Sequence, residues 1–69
     1  MATGTVKWFN KTKGYGFIEP QDGGSDVFVH INAVSSSGLN GLTEGGRYSY
    51  ELETKNGRTS AINLAEAMD

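Results

Sequence analysis

At 69 residues the chain has room for one small domain with a thin core, and its formal net charge of −2 excludes a partner held by bulk positive charge. Cysteine is absent, which excludes disulfides and cysteine-based metal sites and fits a reducing compartment. No apolar run approaches membrane-spanning length, and residues 1–4 lack a charged lead and an apolar stretch, so the expectation is a cytoplasmic protein with no membrane association.

Ten glycines separate short β-prone runs, the pattern of an all-β barrel or sandwich. The first predicted strand covers 4–10, and Lys11-Thr12-Lys13-Gly14 turns the chain. The second covers 15–19 and is stopped by Pro20. Asp22-Gly23-Gly24-Ser25 is a tight turn, because Asp-Gly and Gly-Gly supply positive-φ positions. The third strand covers 26–30. One helical turn is expected over 31–34, then a long loop over 35–43 with Leu39 near its middle. Glu44-Gly45-Gly46 turns into a fourth strand over 47–55. Asn56-Gly57 is the strongest hairpin signal in the chain. The fifth strand covers 59–64. A helical rival exists over 63–68, but so short a segment does not hold a helix alone. Five strands and one long loop suit a partly open five-stranded barrel, with an SH3-like barrel as the alternative.

Side chains alternate between the two faces of a strand. In the second strand Tyr15 and Phe17 share one face, Gly16 and Ile18 the other. In the third, Phe28 and His30 share one face, Val27 and Val29 the other. A closed barrel has one inside, and the branched aliphatics are its natural filling. Tyr15, Phe17, Phe28 and His30 are therefore expected outside. In the first strand Val6 joins the core while Lys7 and Phe9 take the outer face. Strict alternation sends Trp8 inward with Val6; a local bulge would turn it out, and the residues alone leave both open. The fourth strand reverses the pattern, with Tyr48, Tyr50 and Leu52 as core and Ser49, Glu51 and Glu53 as surface.

A contiguous exposed aromatic patch marks an interaction site. Nucleobases have flat π faces that stack on such rings at roughly 1–3 kcal/mol per base. The first eighteen residues hold Lys7, Lys11 and Lys13 and no acid, so positive charge gathers near most of the rings. Lysines add a salt-dependent phosphate contribution. Stacking tolerates any base and a duplex hides its base faces, so the expected partner is single-stranded RNA or DNA, bound with low sequence specificity. The rival is that the rings pack in a core or against another protein; salt dependence separates the two. Catalysis has little to stand on. His30 is the only histidine, no Ser stands in a nucleophile motif, and nothing near Glu51 and Glu53 suggests a shifted carboxyl group. One histidine and scattered carboxylates make no recognisable metal site. No metal, cofactor or small-molecule substrate is expected, and a monomer is the default.

Lys13-Gly14-Tyr15-Gly16-Phe17-Ile18 resembles the first ribonucleoprotein-type motif of the bacterial cold-shock protein family, and Val27-Phe28-Val29-His30-Ile31 resembles the second. Gly4-Thr5-Val6-Lys7-Trp8-Phe9-Asn10 and the run from Asp22 to His30 are similar to the family nearly letter for letter. The likeness covers almost the whole chain and weakens after Tyr50. It implies a five-stranded antiparallel OB-type β-barrel, all-β, with 1–69 as one single-strand-binding domain. It also implies an RNA chaperone that needs no cofactor and opposes secondary structure in cold or stress, with effects on transcription and translation. The family pattern puts Trp8 on the binding surface, which favours the bulge. By motif position the implied binding residues are Lys7, Trp8, Lys13, Tyr15, Phe17, Phe28 and His30, joined by Phe9, Asn10 and Asp26. Asp26 would hydrogen-bond a base edge or, equally, cap the turn after Gly24. Tyr15 replaces a usual Phe and keeps the ring. Ile31 and Leu39 stand where Phe is common and keep only apolar contact, so a smaller stacking platform is expected. Gly57-Arg58-Thr59-Ser60 lacks the family's usual Gly-Pro, which leaves the placement of Arg58 against the ligand open.

Overall fold

Alternation and turn chemistry are realised in the computed structural model, which describes residues 2–67. The strands are β1 (Ala2–Asn10), β2 (Tyr15–Pro20), β3 (Val27–His30), β4 (Arg47–Lys55) and β5 (Arg58–Glu66), with one helix, α1 (Ile31–Ser36), between β3 and β4. They close into a barrel in the order β1-β2-β3-β5-β4. The barrel is closed rather than partly open. It is also mixed rather than wholly antiparallel: β3 meets β5 in parallel at Phe28 and Ser60. That contact joins segments far apart in the chain, with α1 and the β4–β5 hairpin between them, so no local turn signal announces it.

The core holds Val6, Ile18, Val27, Val29, Val34, Tyr48, Tyr50, Ala61 and Leu64. The branched aliphatics expected inside are there, and so are the two tyrosines of β4. Leu52 is a correction: it is 55% exposed. The reason lies in the register. Among the described residues, β4 pairs with β1 from Arg47 to Tyr50, and beyond Tyr50 its neighbour is β5 alone. The β4–β5 register also shifts by a residue between Ser49 and Glu51, and Asn63 takes φ 51° opposite that shift. Asn tolerates this left-handed conformation better than most residues, and its side-chain amide donates to Glu51.

Local chemistry sets the ends of the elements. Asn56 and Gly57 both have positive φ, the type I′ geometry expected of Asn-Gly, and Lys55 faces Arg58 across the turn. After β2, the Asp22 carboxylate accepts the Gly24 N–H at 3.0 Å. The helix runs two residues beyond the expected turn, to Ser36, so Ser35 and Ser36 do not belong to the loop. Ser37 then bridges: its hydroxyl donates to the Ala33 carbonyl and accepts the Leu64 N–H, both at 2.8 Å, tying α1 to β5. The C-terminal helical rival is not formed. Residues up to Glu66 continue β5, because pairing with β4 satisfies the backbone there; Met68 lies outside the described residues.

Candidate nucleic-acid interface

The outer face of β1, β2 and β3 is assembled by register. Phe17 stands opposite Phe28 and Tyr15 opposite His30 in the antiparallel β2–β3 ladder, so all four side chains share one face. Trp8 joins them through a β-bulge. Val6 pairs with Ile18, but the next pair is Trp8 with Phe17, which leaves Lys7 as the extra residue. A one-residue slip moves every following side chain to the other face. Val6 therefore stays inside and Trp8, 39% exposed, comes out.

The rings form one connected surface. The Trp8 centroid lies 5.4 Å from Tyr15 and 5.5 Å from Phe17, both edge-on. Tyr15 stacks on Phe28 at 5.8 Å, and Phe17 meets Phe28 edge-on at 5.9 Å. His30 extends the row, 6.3 Å from Phe28. These are favourable aromatic pair geometries, so the rings brace one another while their outer surfaces stay accessible. Gly16 faces away from the rings, and a Cβ there would collide with the Trp8 carbonyl oxygen and the Phe9 Cα. Its missing side chain lets β1 lie close on β2 at the bulge.

Charged groups border the face. The Lys7 ammonium lies 3.2 Å from the Asp26 carboxylate. Asp26 does not cap the turn; Asp22 does. The Arg58 guanidinium carbon lies 6.0 Å from the Phe28 ring centroid, at the outer range of a cation–π contact, which places Arg58 beside the aromatic row. Lys13 stands exposed on the β1–β2 turn. His30 has a second role: its Nδ1 accepts the Asn32 N–H at 3.0 Å and caps α1.

Of the other expected residues, Phe9 and Leu39 turn toward the core, while Asn10 stands opposite Tyr15 on the outer side of β1 and Ile31 follows His30 at the end of the row. Phe9 pairs with Gly16 and packs against the core, because the bulge reverses its side along with that of Trp8. The Asn10 carboxamide accepts the Lys13 N–H at 2.8 Å and shapes the turn. Ile31 lies over Gly14 and donates its N–H to the Gly14 carbonyl, anchoring the start of α1. Leu39 packs on the core under the loop. One position was missed. Ser60 faces Phe28 across the β3–β5 contact and so borders the row; only the parallel closure reveals it.

Among the described residues, no group of three or more His, Asp or Glu side chains is placed to hold a metal ion. No helix is long and apolar enough to cross a membrane.

Comparison with known proteins agrees with this geometry. The family model of the 'Cold-shock' DNA-binding domain matches residues 2–67. The chain is 62% identical over 66 residues to the probable cold shock protein y4cH of Sinorhizobium fredii, covering 93% of this chain and 96% of that one. It is 54% identical to the cold shock protein CspA of Rhizobium meliloti, over 97% of this chain and all of that one. The cold shock-like protein CspE of Escherichia coli is 48% identical over 88% of each chain. With an OB-type barrel, an outward aromatic row and relatives matched along nearly their whole length, the chain belongs to the cold-shock DNA-binding domain family.

Proposed function

We propose that the chain, as one unit over 1–69, binds single-stranded RNA and DNA with low sequence specificity on the face of Trp8, Tyr15, Phe17, Phe28 and His30. The observation that carries this reading is the continuity of the aromatic row, with centroids 5.4–6.3 Å apart and open outer surfaces. Successive bases stack on such a row without regard to identity. Lys7, Lys13 and Arg58 at its border supply phosphate contacts, which is how a chain of net charge −2 holds a polyanion. Holding bases apart from their pairing partners opposes secondary structure, so the protein acts as an RNA chaperone rather than an enzyme. A role in the cold goes with the names of its relatives, and relief of RNA secondary structure would act there on transcription and translation. The binding unit is a monomer, and Ile31 and Leu39 contribute support beneath the face.

Trp8 reports on this directly. Titration with a short oligothymidylate is expected to quench its fluorescence, less so as salt rises, and a duplex of equal length is expected to leave it unchanged. Replacing Phe17 or Phe28 by Ala is expected to cost about 1–3 kcal/mol of that binding. A fluorophore-labelled RNA hairpin should open as protein is added. If the folded protein leaves every single strand unbound, the aromatic row is a protein-docking surface instead.

A further inference from the structure

Beside the aromatic face, at the end of the barrel where β1 begins and β2 finishes, lies a concavity of about 300 Å³ that stacking does not use. Its walls are apolar: Ala2, Pro20, Val27 and Leu52. Leu52 is one of two large exposed hydrophobic side chains among the described residues, the other being Trp8 on the face itself. Tyr50 also lines the concavity. It is wholly buried, and its hydroxyl finds no hydrogen-bond partner among the described residues. A buried polar group without a partner is uncommon and costly. Tyr48, the other core tyrosine, differs: its hydroxyl accepts the Thr43 N–H at 3.1 Å.

A mostly apolar hollow with a few convergent polar groups is the usual form of a ligand pocket, and this volume sits at the small end of the range. The polar groups restrict what fits. Asp22 and Asp26 also line the concavity, so an anion is disfavoured and a group that donates hydrogen bonds is favoured. The Tyr50 hydroxyl both donates and accepts. A flat apolar body with an amino group, whose two N–H bonds suit the acidic lining, and an acceptor nitrogen for the tyrosine meets all of these conditions, whereas thymine and uracil offer a single imide N–H and no acceptor nitrogen.

We infer that this concavity is a pocket for a planar heterocycle carrying an exocyclic amino group, such as the base of cytosine or adenine. Two sources share that chemistry: a base of the bound strand or a free nucleoside. The strand is within reach. Asp26 in the lining pairs with Lys7, next to Trp8; Val27 in the wall precedes Phe28; and Thr59, also lining the hollow, follows Arg58. The strand source rests on the single-strand reading. It adds what stacking lacks, a preference between amino-bearing bases and thymine or uracil at one position.

The experiment scans one cytosine, then one adenine, through an oligothymidylate and follows binding by Trp8 fluorescence. A gain of about three- to tenfold, the size of one added hydrogen bond, is expected at a single position near one end. Tyr50→Phe keeps the ring and removes only the unpaired hydroxyl, so the barrel is retained and the gain should collapse. Leu52→Arg, on the exposed rim, should also remove it. In parallel, adenosine and cytidine are added alone while the methyl resonances of Ala2, Val27 and Leu52 are followed. Shifts confined to those methyls establish the pocket with a free nucleoside as its source. No positional gain and no methyl shift overturn the inference. If oligothymidylate itself does not bind, the single-strand reading falls, and the nucleoside titration still decides the pocket.

Discussion

Lys7 and Asp26 define the charge at the Trp8 end of the face. Their ion pair is 3.2 Å long, but the side chains are 48% and 39% exposed, so it contributes little to stability. Its consequence is local: the carboxylate offsets one of the few cations beside the rings. Asp26→Asn should leave the denaturation midpoint nearly unchanged. It should steepen the fall of log affinity for oligothymidylate with log salt by up to about 0.7, the increment for one further phosphate contact on a single strand. Parallel salt plots for the two proteins would mean that Lys7 meets no phosphate. The residue types of the face were legible because β2 and β3 keep strict alternation, which sorts Tyr15, Phe17, Phe28 and His30 from Ile18, Val27 and Val29 without any knowledge of the fold. Partners were less legible. That Asp22 rather than Asp26 closes the turn, or that His30 caps α1, depends on which polar atom lies a few ångströms away, and spacing does not fix that.

At the scale of elements, the β1 bulge makes the interface. Without it Trp8 would enter the core and Phe9 would take its place outside. The bulge depends on Gly16, where an added Cβ would collide with backbone atoms of Trp8 and Phe9 rather than with the end of a flexible side chain. Gly16→Ala should therefore destabilise the fold by about 1–3 kcal/mol, as overpacking does, and shift Trp8 emission in the folded state. Gly41→Ala is the control, since the nearest atom to a Cβ there is a Lys11 side-chain carbon at 3.9 Å. Urea midpoints of the two variants decide the matter; equal midpoints would mean that β1 can back away from β2 at no cost. The hairpin at Asn56-Gly57 was legible because two successive positive-φ positions need those residues. The exposure of Leu52 was not, because alternation says which side a residue takes but not where β4 parts from β1. The parallel β3–β5 contact was hidden for a similar reason: it is made by closure of the whole ring, not by any segment.

For the molecule as a whole, a barrel of this size has little stability to spare, so one ill-matched group in its core is felt. Tyr50 is that group. Burial pushes its hydroxyl above the ordinary value of 10.0, and the nearby negative charge of Asp22 pushes it the same way, because both disfavour the phenolate. The folded chain thus holds this proton more tightly than the unfolded chain. Below the unfolded value both states keep the proton and stability does not depend on it. As pH rises past 10.0 the unfolded state releases the proton first, and stability falls until the folded value is passed. Urea midpoints should accordingly be flat for this group up to about pH 9 and then decline, and Tyr50→Phe should reduce that decline. Near neutrality the same substitution should be neutral or stabilising, since it deletes a buried hydroxyl that no group among the described residues satisfies. A ligand in the adjoining concavity would reverse that order. With adenosine or cytidine present, the parent should gain stability by mass action and the Phe variant should not. Parallel alkaline curves for parent and variant would instead mean that the hydroxyl is as well solvated in the barrel as in the unfolded chain.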